Sequence, residues 1–288
     1  MTSHCEMTPP SIGLAACVRA YVSRSTVGLA QQAEVRKNHL PAALTCAITW
    51  LIEGKSSVMQ LGAPLAGSAL KIAPHPVMQP VMFNGPSTQA QVSEDRGPVQ
   101  SFMVLLMPDA LRAMAGVDIA AHVNRFSAMT EAFDAAWHRM AQAVLDAPND
   151  ALRIQLVEAF LEPRWRAARQ QGQTQVRRYQ DWVQDLSRRA QDHGVGRSLR
   201  QAQRRIKEWA GLSLRQLQNI VRLETSLSQV REDDQSGQLD WSRIASENGF
   251  SDQAHFCREI RRASGLSPTE LRRAVAEDEG YWMYRLLA

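Results

Sequence analysis

Arg204-Arg205-Ile206-Lys207-Glu208-Trp209-Ala210-Gly211-Leu212-Ser213 and Arg258-Glu259-Ile260-Arg261-Arg262-Ala263-Ser264-Gly265-Leu266-Ser267 lie 54 positions apart and share one pattern, R-x-I-[KR]-x-x-[AS]-G-L-S. In each copy a glycine suited to a left-handed C-cap ends one helix. A serine then opens the next, with Gln216 or Glu270 three positions on, which is capping-box spacing. Ser198 with Gln201 makes a third box at the head of the first copy.

The residues upstream extend each copy into a pair of helices. Before the second copy, Asp240 caps a short helix with Trp241, Ile244 and Ala245 inward, and Gly249 turns the chain into a helix starting near Ser251. Before the first, Trp182, Leu186 and Ala190 recur at steps of four, and His193-Gly194-Val195-Gly196 leads into a helix over 198–210. Helix, glycine turn, helix is the helix-turn-helix pattern. A helix over 214–231, striped by Leu217, Ile220, Val221, Leu227 and Val230, is expected to join the two units rigidly.

At about 100° per residue, Phe256, Ile260 and Ala263 face inward while Ala254, His255, Arg258, Arg261 and Arg262 face out. The same turn count buries Ala202, Ile206 and Trp209 and exposes Arg197, Arg200, Arg204 and Lys207, with Gln201 and Gln203 on the flanks. A basic face opposite the core suits the second helix of each unit to a DNA major groove. The plain alternative is the charged outer side of a helical bundle.

These motifs resemble the AraC/XylS family of bacterial transcription regulators over about residues 175–274. The most specific stretch is Ile244-Ala245 through Asn248-Gly249-Phe250-Ser251-Asp252-Gln253-Ala254-His255-Phe256, continued by Gly265-Leu266-Ser267-Pro268. The resemblance implies base contacts by Arg200, Gln203 and Arg204 in the first unit and by Gln253, Ala254 and Arg258 in the second. Phosphate or flanking contacts fall to Arg197, Ser198, Gln201, Lys207, Ser251, His255, Arg261 and Arg262. It departs from the family pattern where Ile206 and Ile260 stand for the usual Phe, Ala202 for a larger apolar residue, and Leu214 for Pro. Leu40-Pro41 and Met107-Pro108-Asp109-Ala110 are similar to the degenerate cupin-type sensor half of one AraC-like subgroup.

The amino-terminal part has a different period. Leu44, Cys46, Ile48, Trp50 and Ile52 alternate on one strand face, and 99–107 reads as a strand buried on both faces. Gly62-Ala63-Pro64, Pro74-His75-Pro76 and Asn84-Gly85-Pro86 mark turns. From Pro108 onward the period is helical. Met129, Phe133, Trp137 and Met140 form one stripe of a helix ending near Ala147. Asn149 and Asp150 then cap a helix carrying Leu152, Leu156 and Phe160, which Pro163 is expected to interrupt.

The expected fold is therefore a two-domain α+β chain. It has a cupin-like β-barrel or sandwich with packed helices over 1–163, a linker over 164–174, an all-α double helix-turn-helix domain over 175–274, and a tail over 275–288, for which docking on the helical domain is the plain choice.

Composition agrees with that division. The chain has 288 residues and a net charge of +4. From residue 164 onward 22 Lys and Arg face 16 Asp and Glu, against 11 and 13 before it. Nearly all the later basic residues are Arg, which suits bidentate contact with phosphate and guanine. Cys5, Cys17, Cys46 and Cys257 have no C-x2-C spacing, and His39, His75, His122 and His138 are dispersed with no H-x-H, so neither a metal nor a cofactor is expected. No Walker, G-x-G-x-x-G or G-x-S-x-G motif occurs.

The reading is a cytoplasmic, non-enzymatic regulator whose partners are double-stranded DNA and RNA polymerase, with no membrane. A small effector is expected in a pocket lined by Trp50, Phe83 and Phe102, and a homodimer through the amino-terminal domain. The alternative is a ligand-binding or enzymatic cupin-like domain whose helical half serves assembly.

Overall fold

The computed structural model describes residues 4–28, 35–59, 79–169, 179–192 and 198–287. The turns at 62–64, 74–76 and 193–196, residues 170–174 of the expected linker, His75 and Arg197 lie outside them, while 164–168 of that linker are helical, as the end of a helix over Asp150–Ala168. The amino-terminal half is built on β1 (His4–Thr8), β2 (Val18–Ser25), β3 (Arg36–Leu40), β4 (Cys46–Met59), β5 (Val81–Asn84) and β6 (Gln91–Leu106). After helix α1 (Pro108–Ala115), β7 (Phe126–Ala128) completes a single antiparallel sheet of order β1-β2-β6-β4-β5-β7. β1 and β7 carry no strand pattern in the sequence, being short and at the two ends of the sheet path.

β6 organises the sheet. One edge pairs with β4, while the other pairs with β3 through residues 91–95 and with β2 through 100–106. Both long strands bend where glycines take positive φ, +93° at Gly54 and +77° at Gly97, and β4 shifts register around Glu53. A side chain at Gly54 would run into the Pro98 carbonyl, so only glycine fits where the bent strands cross closest.

Period-two alternation sorts the side chains as the sequence predicts. Leu44, Cys46, Ile48 and Trp50 are fully buried on one face, with Phe102, Val104 and Leu106 from β6. Ala20, Val22, Ala47, Met103 and Leu105 make a second apolar layer on the other face. Residues 99–107 are thus sandwiched.

The first face is covered by α1, α2 (Met129–Ala132), α3 (Ala135–Asp146) and α4 (Asp150–Ala168). Three sequence expectations are corrected here. Met129, Phe133, Trp137 and Met140 are buried, but they do not share one helix: Asp134 caps the backbone of Ala136 and Trp137, and α3 starts anew after it. In α4 the buried stripe is Arg153, Val157, Leu161 and Trp165, one position along from the predicted Leu152, Leu156 and Phe160. Leu152 is 37% exposed. Nor does Pro163 interrupt α4, which continues to Ala168 because Leu161 and Trp165 anchor it on both sides of the proline.

The helical half comprises α5 (Tyr179–Asp192), α6 (Leu199–Ala210), α7 (Leu214–Ser236), α8 (Trp241–Glu247), α9 (Gln253–Ser264) and α10 (Pro268–Glu277), followed by α11 (Trp282–Leu287). The core on the helix-covered face of the sheet runs without a break into Trp182, Leu186, Ala190, Ala202, Ile206 and Leu217. Leu223, Val230, Ile244, Phe250, Phe256, Ile260 and Leu271 form a separate core. No helix among the described residues is long and apolar enough to cross a membrane.

Candidate nucleic-acid interface

Each candidate reading helix starts from a side-chain cap and stops at a glycine. The Ser198 hydroxyl accepts from Gln201 N at 3.4 Å, and Asp252 accepts from His255 N at 2.6 Å. Gly211 and Gly265 take φ of +75° and +82° as the left-handed C-caps that the repeat predicts. Reciprocal capping boxes at Ser213 with Gln216 and Ser267 with Glu270 start the helices that follow. At Ser198 only the serine half of the box forms.

The caps fix which side chains face out. Ala202, Ile206 and Ala210 are buried along α6, as are Phe256 and Ile260 along α9. Arg200, Gln201, Gln203, Arg204 and Lys207 are exposed, as are Ser251, Gln253, Ala254, Arg258, Arg261 and Arg262. Among the described residues Arg200, Arg204, Lys207 and Arg258 make no ion pair, although the Asp252 carboxylate at the head of α9 lies near enough to Arg258 to feel its charge. Arg261 pairs with Glu270 at 3.7 Å and Arg262 with Glu259 at 3.3 Å.

The residues that follow Arg204 and Arg258 point the other way. Arg205 donates to the Ala190 carbonyl at 3.0 Å, while Glu259 accepts from Asn219 of α7 at 2.9 Å. These contacts set the roll of α6 and α9 about their axes, leaving Arg204 and Arg258 outward.

Two predicted contacts are partly engaged within the protein. Gln253 accepts from the Ser242 hydroxyl at 3.0 Å, and half-buried His255 pairs its Nδ1 with the Ser251 hydroxyl at 3.2 Å while meeting Phe250 edge-on. The Asp252 carboxyl lies below the usual carboxylate range, chiefly because the His255 backbone N–H donates to it.

The turn into α9 is held from α7. Gly249 takes φ of +71°, its carbonyl accepts from Arg222 at 3.0 Å, and the Arg222 guanidinium lies 4.5 Å from the Phe250 ring centre.

The three residues of the predicted effector lining are packed among core side chains of the described residues. Trp50, Phe83 and Phe102 are 0% exposed in the helix-side core. The Trp50 indole donates to the Ala141 carbonyl at 2.9 Å, and Phe83 packs edge-on against Phe133. A cavity of about 110 Å³ lies on the opposite face of the same strands, among Arg24, Asn38, Ser56, Asp95 and Met103, and Trp282 of α11 is part of its lining. An arginine within an otherwise apolar strand face, at Arg24 after Ala20 and Val22, is the signal that marks it.

The carboxy-terminal half is thus a double helix-turn-helix with two exposed basic helix faces. The family described as "Helix-turn-helix domain" matches residues 193–274, and this stretch is a helix-turn-helix domain of AraC type. No curated protein matches the chain. Among solved structures, one of ToxT from Vibrio cholerae is similar at 9% identity and a TM-score of 0.38, covering 94% of this chain and 98% of that one. Another, of ToxT bound to an unsaturated fatty acid, stands at 11% identity and a TM-score of 0.35, covering 82% and 93%. At this distance no residue role passes from ToxT to this chain.

Proposed function

We propose that the chain is a transcription regulator that places α6 and α9 in successive major grooves on one face of a duplex, about one helical turn apart. The observation that carries this is the repeat itself. Arg204 and Arg258 occupy equivalent positions on two capped helices, exposed and without an ion pair among the described residues, and α7 connects the two units.

In this reading Arg200, Gln203 and Arg204 contact bases from α6, and Gln253, Ala254 and Arg258 from α9, with arginine bidentate to guanine and Ala254 offering a methyl contact. Lys207, Arg261 and Arg262, with Ser198, Gln201, Ser251, His255 and the helix N-termini, hold phosphates and set register. The sheet half senses a small effector in the cavity beside Arg24 and supplies a homodimer contact. RNA polymerase is the downstream partner, no step is catalysed, and the protein works in the cytoplasm.

The test is selection of bound duplexes from a random pool by the full chain, then affinity of the winner at two salt concentrations. A two-part motif with halves about 10 base pairs apart is expected. Binding that depends on salt and not on sequence would overturn the base-reading role.

A further inference from the structure

The carboxy-terminal segment is shared between the two halves of the molecule. Tyr281 and Tyr284 belong to the core of the second helix-turn-helix unit, beside Phe256, Ile260 and Leu271. Trp282 and Met283, one and two positions on from Tyr281, pack into the apolar layer of the sheet with Val22, Ala47, Met103 and Leu105. A single helical turn thus presents one side to the second reader and the other to the sheet.

Charge and shape hold it there. Glu279 accepts from Arg24 Nη2 at 2.8 and 3.0 Å and lies 3.5 Å from Arg36. Arg24 is 4% exposed, and its guanidinium sits 4.7 Å from the Trp282 ring centre. Without Glu279, the buried Arg24 would keep Asp95, at 3.5 Å, as its one carboxylate partner among the described residues, so the segment completes the charge balance around Arg24.

Tyr281 stacks on His39 with ring centres 4.2 Å apart, and the Gly280 backbone passes so close to the Lys37 carbonyl that a Cβ would collide with it. The fit carries a cost. Arg24 Nε and Trp282 Nε1 are buried without a hydrogen-bond partner among the described residues, which favours release of the segment relative to a fully paired contact.

We propose that residues 279–287 are a strap that fixes the second reader to the sheet, so that the spacing between α6 and α9 is set by the seating of Glu279 and Trp282 in the sheet cavity. This rests on the two-groove reading above. The first reader is fixed to the same half by other contacts: Arg112 pairs with Glu208 of α6, and Arg189 of α5 with Asp109 at 2.5 Å. With both units held, the protein distinguishes half-site spacing; with the strap free, the second unit keeps only α7, the Ala90 to Ala263 backbone hydrogen bond and the pair of Arg19 with Glu224 among the contacts described, and follows DNA more freely. Trp282 is part of the cavity lining, so an occupant seated against it acts on the strap and through it on the second unit.

The test uses the full chain, Glu279→Gln and Trp282→Ala, on the selected duplex and on duplexes with one base pair inserted or removed between the halves. For the unaltered protein each spacing change is expected to weaken binding about tenfold, and for both variants less than about threefold, with affinity for a single half-site unchanged. An equal spacing penalty in Glu279→Gln, which leaves the apolar core intact, overturns the strap.

Hydrogen exchange without DNA separates this from failure of DNA reading. Faster exchange at 36–40 and 279–287 in both variants, with α1 to α4 unchanged, is expected even if no two-part motif exists. Unchanged exchange at both segments overturns the strap whatever the DNA result.

Discussion

The two helix-turn-helix units carry the same repeat but are stabilised differently. The first has no core of its own: Trp182, Leu186, Ala202 and Ile206 continue the core that lies between the sheet and its helices. The second folds around Phe250, Phe256, Ile260 and Leu271 and meets the sheet through the 279–287 segment, an Ala90 to Ala263 backbone hydrogen bond of 3.0 Å, and the pair of Arg19 with Glu224 on α7. One sequence motif can therefore be a piece of a larger domain at one position and a nearly independent module at another. What decides is whether the motif fills its own interior. Phe256, fully buried in the second unit, stands where the first has Ala202, and the missing volume in the first is replaced by neighbours from outside the repeat.

That contrast can be broken most severely at the Phe256 position. Phe256→Ala is expected to cost about 3–5 kcal/mol and to open the second unit alone. Hydrogen exchange should show α8 to α10 unprotected while the sheet and α6 stay closed; loss of protection in both units would refute separate cores. The reverse change, Ala202→Phe, overfills the shared core and is expected to cost about 1–3 kcal/mol spread over the sheet half, read by urea unfolding.

The two C-cap glycines sharpen the comparison next. Gly211 and Gly265 have the same left-handed backbone, but a Cβ at Gly211 would lie 2.9 Å from Ile119 and Val123, while one at Gly265 meets nothing within 4 Å. Gly265→Ala should therefore cost only the backbone strain, about 1–2 kcal/mol. Gly211→Ala should cost about 2–4 kcal/mol, because it adds a collision with the amino-terminal half. Equal losses in thermal unfolding would mean that the first unit is not docked there.

Binding effects follow. Arg258→Ala is expected to lose about 1–3 kcal/mol of specific affinity and to relax preference at one base position, leaving the half-site read by α6 unaltered. An unchanged selected motif would remove Arg258 from the base-reading set. Lys207→Ala should weaken all sequences alike and lower the slope of log affinity against log salt by about 1, measured by titration at several ionic strengths.

The smallest expected effect is in acid. Asp252 is held below its ordinary value by the His255 N–H, and Glu270 by the hydroxyl and backbone N–H of Ser267. Both folded values are depressed, so the stabilisation is complete above the unfolded values, near about pH 4, and is lost as pH falls through the folded ones. Exchange at the start of α9 should rise below about pH 4 in the unaltered chain. In Asp252→Asn, which keeps an acceptor without the charge, it should rise less.

The repeat, the glycine ends, the boxes at Ser213 and Ser267 and the alternation from Leu44 to Trp50 were legible because each depends on residues two to four apart. Where another element intruded, the reading slipped. Asp134 divides the Met129 to Met140 stripe with a cap, and α4 continues through Pro163 with Leu161 and Trp165 buried on either side of it. Trp50, Phe83 and Phe102 have the residue types of a pocket lining, yet side-chain type does not say which face of a strand meets helices and which meets a cavity. That choice belongs to the sheet as a whole.

By itself, then, the sequence determined the double helix-turn-helix, its outward basic faces and the alternation of the central strands, since these are local periodicities of an L-polypeptide. The tertiary structure decided that the first unit shares the core of the sheet half, that the cavity beside Arg24 lies on the strand face opposite Trp50, and that residues 279–287 pack against both the sheet and the second helix-turn-helix unit. Arg24 and Glu279 meet across 255 positions of chain. No spacing rule reaches that far, because their contact depends on the packing of every element between them.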